Sequence, residues 1–271
     1  MVEQALERIK HRRSVRSFSG EALREDTLSA LRESLAAARN PYDIPIEFRI
    51  LDAAEHGLTS AVLVGAKTYA AGKLRFQPHA EEAFGFAFER FVLEADAMGV
   101  GTVWIAGTMN RDAFEKAMDM GEDEFMPCVT PLGYPAEKMS VREAVMRKGV
   151  GADKRLPFPQ IAFSGGFDRP LEPEAAGALA PLIEMVRRAP SAVNRQPWRL
   201  VVCDEAVHFY EKKDKGYVTP RGWDMQKIDL GIALCHFQVG LDAAGIKAEF
   251  TLRDPGLPVP ENTAYIASFM L

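Results

Sequence analysis

Two arginines and a serine alternate near the start of the chain, in the string HRRSVRSF at residues 11–18. Alternate residues of an extended segment point to the same side, so Arg12, Ser14 and Arg16 would share one face, with Arg13 beside them. Guanidinium groups bind phosphate through paired hydrogen bonds and keep their charge, and a hydroxyl group adds a donor. The spacing indicates a site for a terminal phosphate, although a solvated basic segment has the same composition.

A second basic pair and a polar loop lie later in the chain. Lys154 and Arg155 come just before prolines that hold the backbone extended, and they would serve the same phosphate only if the fold brings them close. In the string APSAVNRQPWRLVV, Pro190 ends a helix, and Ser191 and Asn194 are turn formers that can hydrogen-bond the backbone or a planar ligand edge. A plain surface pair and an ordinary helix-to-strand loop remain the alternatives.

The elements that would position these residues occur in two similar copies. The string FGFAFERFVLEADAMGV at 84–100 matches LGIALCHFQVGLDAAGI at 230–246, with six identities in register. In both copies apolar residues recur at helical spacing, and a glycine follows the helix, Gly99 or Gly245, where a left-handed cap suits it. The pattern predicts an internal duplication, although any two amphipathic helices look somewhat alike.

Coarser patterns complete the predicted fold. Helix stripes at 28–38 and 179–186 each lead into a short strand. The Pro/Gly-rich residues 156–173 have the composition of a linker or of a segment that crosses between the halves. Long helices mixed with strands that do not alternate strictly indicate an α+β fold, with halves at 1–158 and 159–271. Strands are predicted at 48–51, 61–66, 103–105, 128–133, 198–201, 207–210, 248–252 and 264–269.

Composition narrows the classes of partner. The chain has 271 residues, 33 Lys plus Arg against 38 Asp plus Glu, and a net charge of −5, which argues against a nucleic-acid or anionic-membrane partner. The three cysteines are far apart, with no spacing typical of a disulfide framework or metal site. The first residues lack a signal-peptide pattern, and no apolar run approaches the roughly 20 residues of a membrane-spanning helix. We expect a cytoplasmic protein that binds a small molecule.

The strings RRSVRSF and APSAVNRQPWRLVV together resemble the signature of the FMN-dependent nitroreductases. In that family the first segment holds the FMN phosphate and the Pro-Ser loop faces the isoalloxazine ring, usually from different subunits of a homodimer. Each element occurs here in one copy only, so the chain resembles a fused, tandem variety whose halves imitate that dimer. The resemblance implies nitroreductase-like mixed or antiparallel sheets flanked by helices, in a monomer acting as a pseudo-dimer that can dimerise further.

The resemblance also implies which positions contact the cofactor. The string GVGTVWIAGT at 99–108 is similar to the family's loop beside the flavin N5, where backbone N–H groups donate, although a buried strand and turn would read the same. The asparagine of the Pro-Ser loop has either a binding or a structural role. The implied cofactor-binding residues are Arg12, Arg13, Ser14, Arg16, Ala106, Gly107, Lys154, Arg155, Pro190, Ser191, Ala192 and Asn194.

The function implied by the resemblance is an FMN-dependent oxidoreductase that passes hydride from NADH or NADPH, through flavin N5, to a small aromatic or quinone-like acceptor. No catalytic side chain and no metal are expected, because the flavin carries the chemistry and the protein positions it. The alternatives are a non-catalytic protein that binds or senses FMN, a specialised relative acting in dehalogenation, azo reduction or flavin breakdown, and a flavin-free interaction protein.

Overall fold

The computed structural model describes all 271 residues, which divide into two compact units. The continuous unit comprises Arg12–Ala152, and the discontinuous unit joins Met1–His11 to Asp153–Leu271. Each contains helices and strands, and together they confirm the predicted α+β class. None of the helices has the length and apolar character needed to cross a membrane.

Nine helices and nine strands make up the chain, with two short 3₁₀ turns at Gly177–Leu179 and Ala192–Asn194. The helices are α1 (Val2–His11), α2 (Glu25–Ala37), α3 (Ala53–His56), α4 (Ala80–Ala97), α5 (Arg111–Ala117), α6 (Val141–Gly149), α7 (Phe158–Ile161), α8 (Ala180–Arg188) and α9 (Met225–Ala244). The strands are β1 (Glu47–Asp52), β2 (Thr68–Arg75), β3 (Glu124–Phe125), β4 (Val129–Leu132), β5 (Ala162–Ser164), β6 (Trp198–Cys203), β7 (Ala206–Lys212), β8 (Glu249–Thr251) and β9 (Thr263–Met270).

The continuous unit is built on an antiparallel sheet in which β2 pairs with β1, β3 and β4. The long helix α4 buries an aromatic face, where Phe84 and Phe88 meet Phe48 of β1. Gly72 of β2 makes this packing possible, because a Cβ built there would lie 2.5 Å from the Phe48 ring and 2.9 Å from that of Phe84. Trp104 closes the cluster and donates its ring N–H to the buried carboxylate of Glu89.

The discontinuous unit has a five-stranded sheet in the order β5-β6-β7-β9-β8. Its pairs are antiparallel except β5 with β6, which run parallel. The helix α9 is buried along most of its length, and α1 and α8 pack against it. Gly240 allows α8 to approach closely, since a Cβ built there would lie 2.6 Å from the Leu182 side chain.

Six of the eight predicted strands are confirmed within a few residues, and two are wrong. Residues 61–66 and 103–105 form only isolated bridges. Residues 61–66 consist mainly of turns. The bridges of Gly101 with Gly133 and of Ile105 with Val129 are interrupted at Pro131, which has no N–H to donate, and the Val103 N–H bonds Thr130 Oγ1 at 3.0 Å instead. The segment 156–173, predicted as a linker or a crossing segment, is not a free linker. It contains α7 and β5, and Ile161 and Ala162 are fully buried where β5 joins the sheet.

The two helices that suggested a repeat do end alike. Gly245 caps α9 at φ 67°, and Gly99 follows α4 at φ 75°, both in the left-handed region as predicted. Each unit also contains a helix, two antiparallel strands, a long helix and a strand that pairs with the second of the two: α2, β1, β2, α4, β4 and α8, β6, β7, α9, β9. This order is what a duplication would produce, and the duplication itself stays a prediction.

The units differ in their bounds from the predicted halves. Helix α1 groups with the later part of the chain, because Ile9 is buried and α1 packs on α8 and α9. The second boundary falls at Asp153, ahead of the predicted division after residue 158.

Candidate functional site

The arginine segment (Arg12–Arg16) of the continuous unit is extended, as its alternating spacing requires. Ser14 bridges Thr102 in parallel, and the N–H of Val15 donates to the Thr102 carbonyl at 2.8 Å. Val15 is buried against Gly101, and a Cβ built on Gly101 would lie 3.0 Å from the Val15 side chain. Ser14 and Arg16 are partly exposed. The backbone pairing therefore directs Ser14 and Arg16 away from the core.

Arg12 differs from its neighbours in being buried. Only 8% of the residue is exposed, and its Nε has no hydrogen-bond partner. A buried guanidinium nitrogen without an acceptor is costly, since buried polar groups in proteins are almost always hydrogen-bonded. An anionic oxygen at this nitrogen would supply the missing acceptor. Arg13, in contrast, is exposed.

Arg16 lies among further charges from α6. Its backbone N–H donates to Glu143 Oε2 at 3.2 Å, and Ser17 Oγ accepts from the N–H of Ser140, the N-cap of α6. Burial lowers the pKa of the Arg16 guanidinium; the Glu143 carboxylate opposes this change, and the positive charge of Arg147 adds to it. Arg147 is therefore a second cation beside the segment, one that the sequence reasoning missed.

The Ala106–Gly107 turn follows the residues that bridge β4, where Ile105 and Val129 exchange both backbone hydrogen bonds at 2.9 Å. The Ala106 carbonyl accepts a hydrogen bond from Arg111 Nη2 at 2.9 Å. Neither the Ala106 nor the Gly107 N–H donates to another backbone carbonyl. A Cβ built on Gly107 would meet no atom within 4 Å, so space is open beside the turn.

The Pro-Ser loop (Pro190–Asn194) of the discontinuous unit is tied down by its own side chains. Ser191 Oγ accepts from the Gln196 N–H at 2.9 Å, and Asn194 Nδ2 donates to the Lys154 carbonyl at 3.0 Å. Gln196 Oε1 accepts from the Leu156 N–H at 2.9 Å. The structure thus brings the predicted Lys154–Arg155 pair next to the Pro-Ser loop, and it gives Asn194 a structural role.

The backbone of this loop is strained. Val193, Asn194 and Gln196 have φ values of 48°, 58° and 53°, in the left-handed region that suits glycine. Each such residue costs on the order of 1–3 kcal/mol, and a β-branched valine is the least expected there. The hydrogen bonds of Ser191 and Gln196 to their neighbours hold the strained turn in place.

Arg155 and Asp229 both contact the Pro-Ser loop, and Arg155 Nη1 lies 3.5 Å from Asn194 Oδ1. Arg155 Nη1 donates to the Lys154 carbonyl at 2.8 Å, and Nη2 donates to the Arg188 carbonyl at the end of α8, 3.4 Å away. Asp229 of α9 accepts the Ala192 N–H with both oxygens, at 3.0 and 3.1 Å. Burial raises the pKa of Asp229 well above its usual range, although the Ala192 hydrogen bond opposes the shift.

Three functional residues were not predicted from the sequence, because their contacts leave no local pattern of residue types. Arg111 and Asp229 act on backbone atoms, and Arg147 lies far along the chain from Arg16. A charged side chain on an apolar helix was the available signal for Asp229, and the Glu143–Arg147 spacing of one helical turn was the signal for α6.

Comparison with known proteins identifies the family. The family model described as "Putative TM nitroreductase" matches residues 4–241, which is most of the chain. The chain therefore belongs to this nitroreductase family. A crystal structure described as a "putative nitroreductase" from Thermotoga maritima superposes with a TM-score of 0.64 at 20% identity, covering 98% of this chain and 93% of that one. This likeness confirms the nitroreductase-like fold over the whole chain.

Two further comparisons cover shorter stretches of the chain. A "Putative NAD(P)H nitroreductase" of Mycobacterium tuberculosis is 32% identical over 87 residues, which are 32% of this chain and 25% of that protein. This chain thus spans a quarter of the length of the curated relatives it matches. A nitroreductase with bound FMN from Bacteroides fragilis is 21% identical, covers 51% of this chain and 91% of its own, and has a TM-score of 0.41.

Proposed function

We propose that this chain is an FMN-dependent NAD(P)H oxidoreductase that reduces a small aromatic or quinone-like acceptor. The observation that carries the proposal is the buried Nε of Arg12, which has no acceptor and lies in an extended segment with Ser14 and Arg16. A phosphate group fits this segment, because its oxygens accept several charge-assisted hydrogen bonds at once. Membership of the nitroreductase family supports FMN as the source of that phosphate.

The residues of the chain would divide the work of holding the cofactor. Arg12, Ser14 and Arg16 bind the phosphate, with the charge of Arg147 adding to the attraction. The family resemblance assigns the Pro-Ser loop to the isoalloxazine ring, and the hydrogen bonds of Ser191 and Asn194 hold its strained backbone rigid. Arg13, Lys154 and Arg155 are assigned to the same cofactor by the family resemblance alone.

The Ala106–Gly107 turn supplies backbone N–H groups to the redox-active edge of the ring. These donors are fixed before any ligand arrives, so they need no reorganisation when charge develops. When bound, FMN would supply the redox chemistry that connects NADH or NADPH to the acceptor. The protein orients both partners and excludes water, which explains why no catalytic side chain is required.

The quaternary proposal follows from the complementary losses in the two copies. The chain acts as a pseudo-dimer that binds one FMN, because the second copy lacks the Arg-Ser-Arg pattern and the first lacks the Pro-Ser loop. A flavin content of two per chain would contradict this part of the proposal, whereas further pairing of whole chains would leave it intact.

The deciding measurement is the visible spectrum of the purified protein before and after anaerobic addition of NADH or NADPH. We expect a yellow protein whose flavin absorbance bleaches on addition and returns when an aromatic or quinone acceptor follows. A yellow protein that neither nucleotide bleaches would indicate a non-catalytic FMN binder. A colourless protein that takes up no added FMN would refute the proposal.

Replacing Arg12 and Arg16 together by alanine tests the phosphate contact. We expect FMN affinity to fall at least about 100-fold, because each charge-assisted contact contributes about 1.5–3 kcal/mol. Equilibrium dialysis against FMN measures the loss, and circular dichroism checks the fold. The double variant of Arg24 and Arg32, which are exposed, removes the same charge from the same unit and should retain its FMN.

A further inference from the structure

The guanidinium of Arg111, the first residue of α5, holds the Ala106–Gly107 turn through carbonyl groups. Its Nη2 donates to the Ala106 carbonyl at 2.9 Å, and its Nη1 donates to the Met126 carbonyl at 2.7 Å. The Pro127 carbonyl lies 3.4 Å from Nη2. One planar side chain therefore connects the turn to the buried backbone that leads into β4.

This contact fixes the direction of one N–H group. In a trans peptide the carbonyl of one residue and the N–H of the next point to opposite sides of the same plane. With its carbonyl held by Arg111, the Ala106–Gly107 peptide presents the Gly107 N–H away from the guanidinium. That N–H has no backbone acceptor within the protein, and the space beside Gly107 is open.

We propose that Arg111 is a positioning residue, which aims the Gly107 N–H at N5 of bound FMN by gripping the Ala106 carbonyl. This inference rests on the proposed function. Without the grip the peptide plane would be free to rotate and would offer its carbonyl in place of its N–H. A lysine has a single ammonium group without the planar fork, so it can hold one carbonyl but cannot span two in fixed geometry.

The alternative is that Arg111 merely stabilises the connection from β3 to β4. Both roles predict some loss of stability, so thermal denaturation alone does not separate them. The two roles differ at the flavin, because only the positioning role changes the hydrogen bond at N5 and leaves the other ring nitrogens as they were.

The test uses the full-length protein loaded with FMN labelled with ¹⁵N in the ring, in the oxidised state. We expect Arg111→Gln to move the N5 resonance downfield, towards that of a nitrogen with no donor, while N1 and N3 stay in place. Arg111→Lys should give a smaller shift in the same direction. Arg75→Gln, which removes an exposed arginine of the same unit, should move none of them.

A second variant deletes the donor itself. Gly107→Pro lacks the N–H, so it should shift N5 as Arg111→Gln does, and adding Arg111→Gln to it should produce no further shift. An unchanged N5 resonance in folded, FMN-loaded Arg111→Gln would overturn the inference, and so would equal shifts at N1, N3 and N5. If Arg111→Gln does not fold, an N5 resonance in Arg111→Lys identical to that of the parent protein overturns it.

Failure of the proposed function would be visible earlier and separately. A parent protein that takes up no FMN gives no ring resonances at all, which refutes the cofactor assignment before any variant is compared.

Discussion

Ser191 combines two properties that a pair of substitutions can separate. Its Oγ accepts the Gln196 N–H and so supports the loop, and its small side chain leaves room for a flat ligand. We expect Ser191→Ala to weaken FMN binding by about fivefold, the effect of one ordinary hydrogen bond. Ser191→Trp should abolish binding because the indole fills the ring position. Binding by Ser191→Trp equal to that of the alanine variant would refute this placement.

Asp229 gives the protein a pH dependence of predictable sign. Burial is the main cause that raises its pKa, and the nearby carboxylates of Asp224 and Glu211 raise it further. The folded protein therefore holds a proton on Asp229 that the unfolded chain releases above its usual pKa of about 3.9. Stability contributed by this group is fully present below that pH and declines as the pH rises towards the folded-state pKa.

Asp229→Asn should remove this dependence, since the amide keeps an oxygen for the Ala192 N–H and carries no charge. We expect the variant to melt roughly 2–8 °C above the parent protein at pH 8 and to lose this advantage near pH 4. Thermal denaturation at both values measures it. Asp204→Asn, a matched change in an exposed turn, should show no such difference between the two values.

At the residue scale, the sequence revealed chemistry wherever residue type and spacing carry it. The alternation in the arginine segment was enough to predict an extended segment, and the structure has one. The burial of Arg12 could not be predicted from spacing, because it depends on packing by distant parts of the chain. The hydrogen bond from Arg111 to the Ala106 carbonyl could not be predicted either, because a contact with a backbone atom leaves no pattern in the side chains.

At the scale of elements, the strained turn at Val193 offers a direct test of stored strain. We expect Val193→Gly to raise the free energy of unfolding by about 1 kcal/mol, because glycine adopts φ 48° without steric cost and loses only part of this gain to chain entropy. Val218 is equally exposed, at 61% against 60%, but has no positive φ. Val218→Gly should therefore destabilise by about 0.5–1 kcal/mol. Chemical denaturation that found both variants destabilised alike would contradict the strain.

Three strands were not predicted from the sequence, the short β3 and β5 and the long β2. The central strand β2 reads TYAAGKLR, with small residues of low strand propensity, so no alternating apolar pattern marks it. A glycine is required at position 72 by the rings of Phe48 and Phe84, which pack over it. By contrast, β7 and β9 are rich in aromatic and β-branched residues, and both were predicted. Local propensity thus identified β7 and β9, whose side chains are bulky. It missed β2, where the lack of a side chain at Gly72 makes room for aromatic rings.

At the scale of the whole molecule, the position of α1 in the discontinuous unit can be tested through Ile9. This side chain is 3% exposed, and a large-to-small change at such a site costs about 2–4 kcal/mol. We expect Ile9→Ala to accelerate amide hydrogen exchange in α8 and α9, against which α1 packs, and to leave the β2 amides protected. Val145→Ala, at a residue 65% exposed, is the control and should alter neither. Faster exchange confined to β2 would contradict the assignment.

The packing of α1 on α8 and α9 also explains why the bounds of the units could not be predicted from the sequence. The α+β class, the two long helices and their closing glycines all follow from local periodicity, and the structure has them. The unit to which α1 belongs depends on which other apolar surface covers the apolar face of this helix. Amphipathic spacing shows that a helix has a face to bury, but it does not identify the partner.

The split membership of the discontinuous unit has a consequence for synthesis. Helix α1 leaves the ribosome before α8 and α9, which are made long afterwards. At about 5–20 residues per second, the nascent helix waits on the order of ten seconds or more for the surface that covers Ile9. The continuous unit, whose strands and helices are all made in between, can complete its core first. During that interval an apolar stripe on α1 stays open to chaperones.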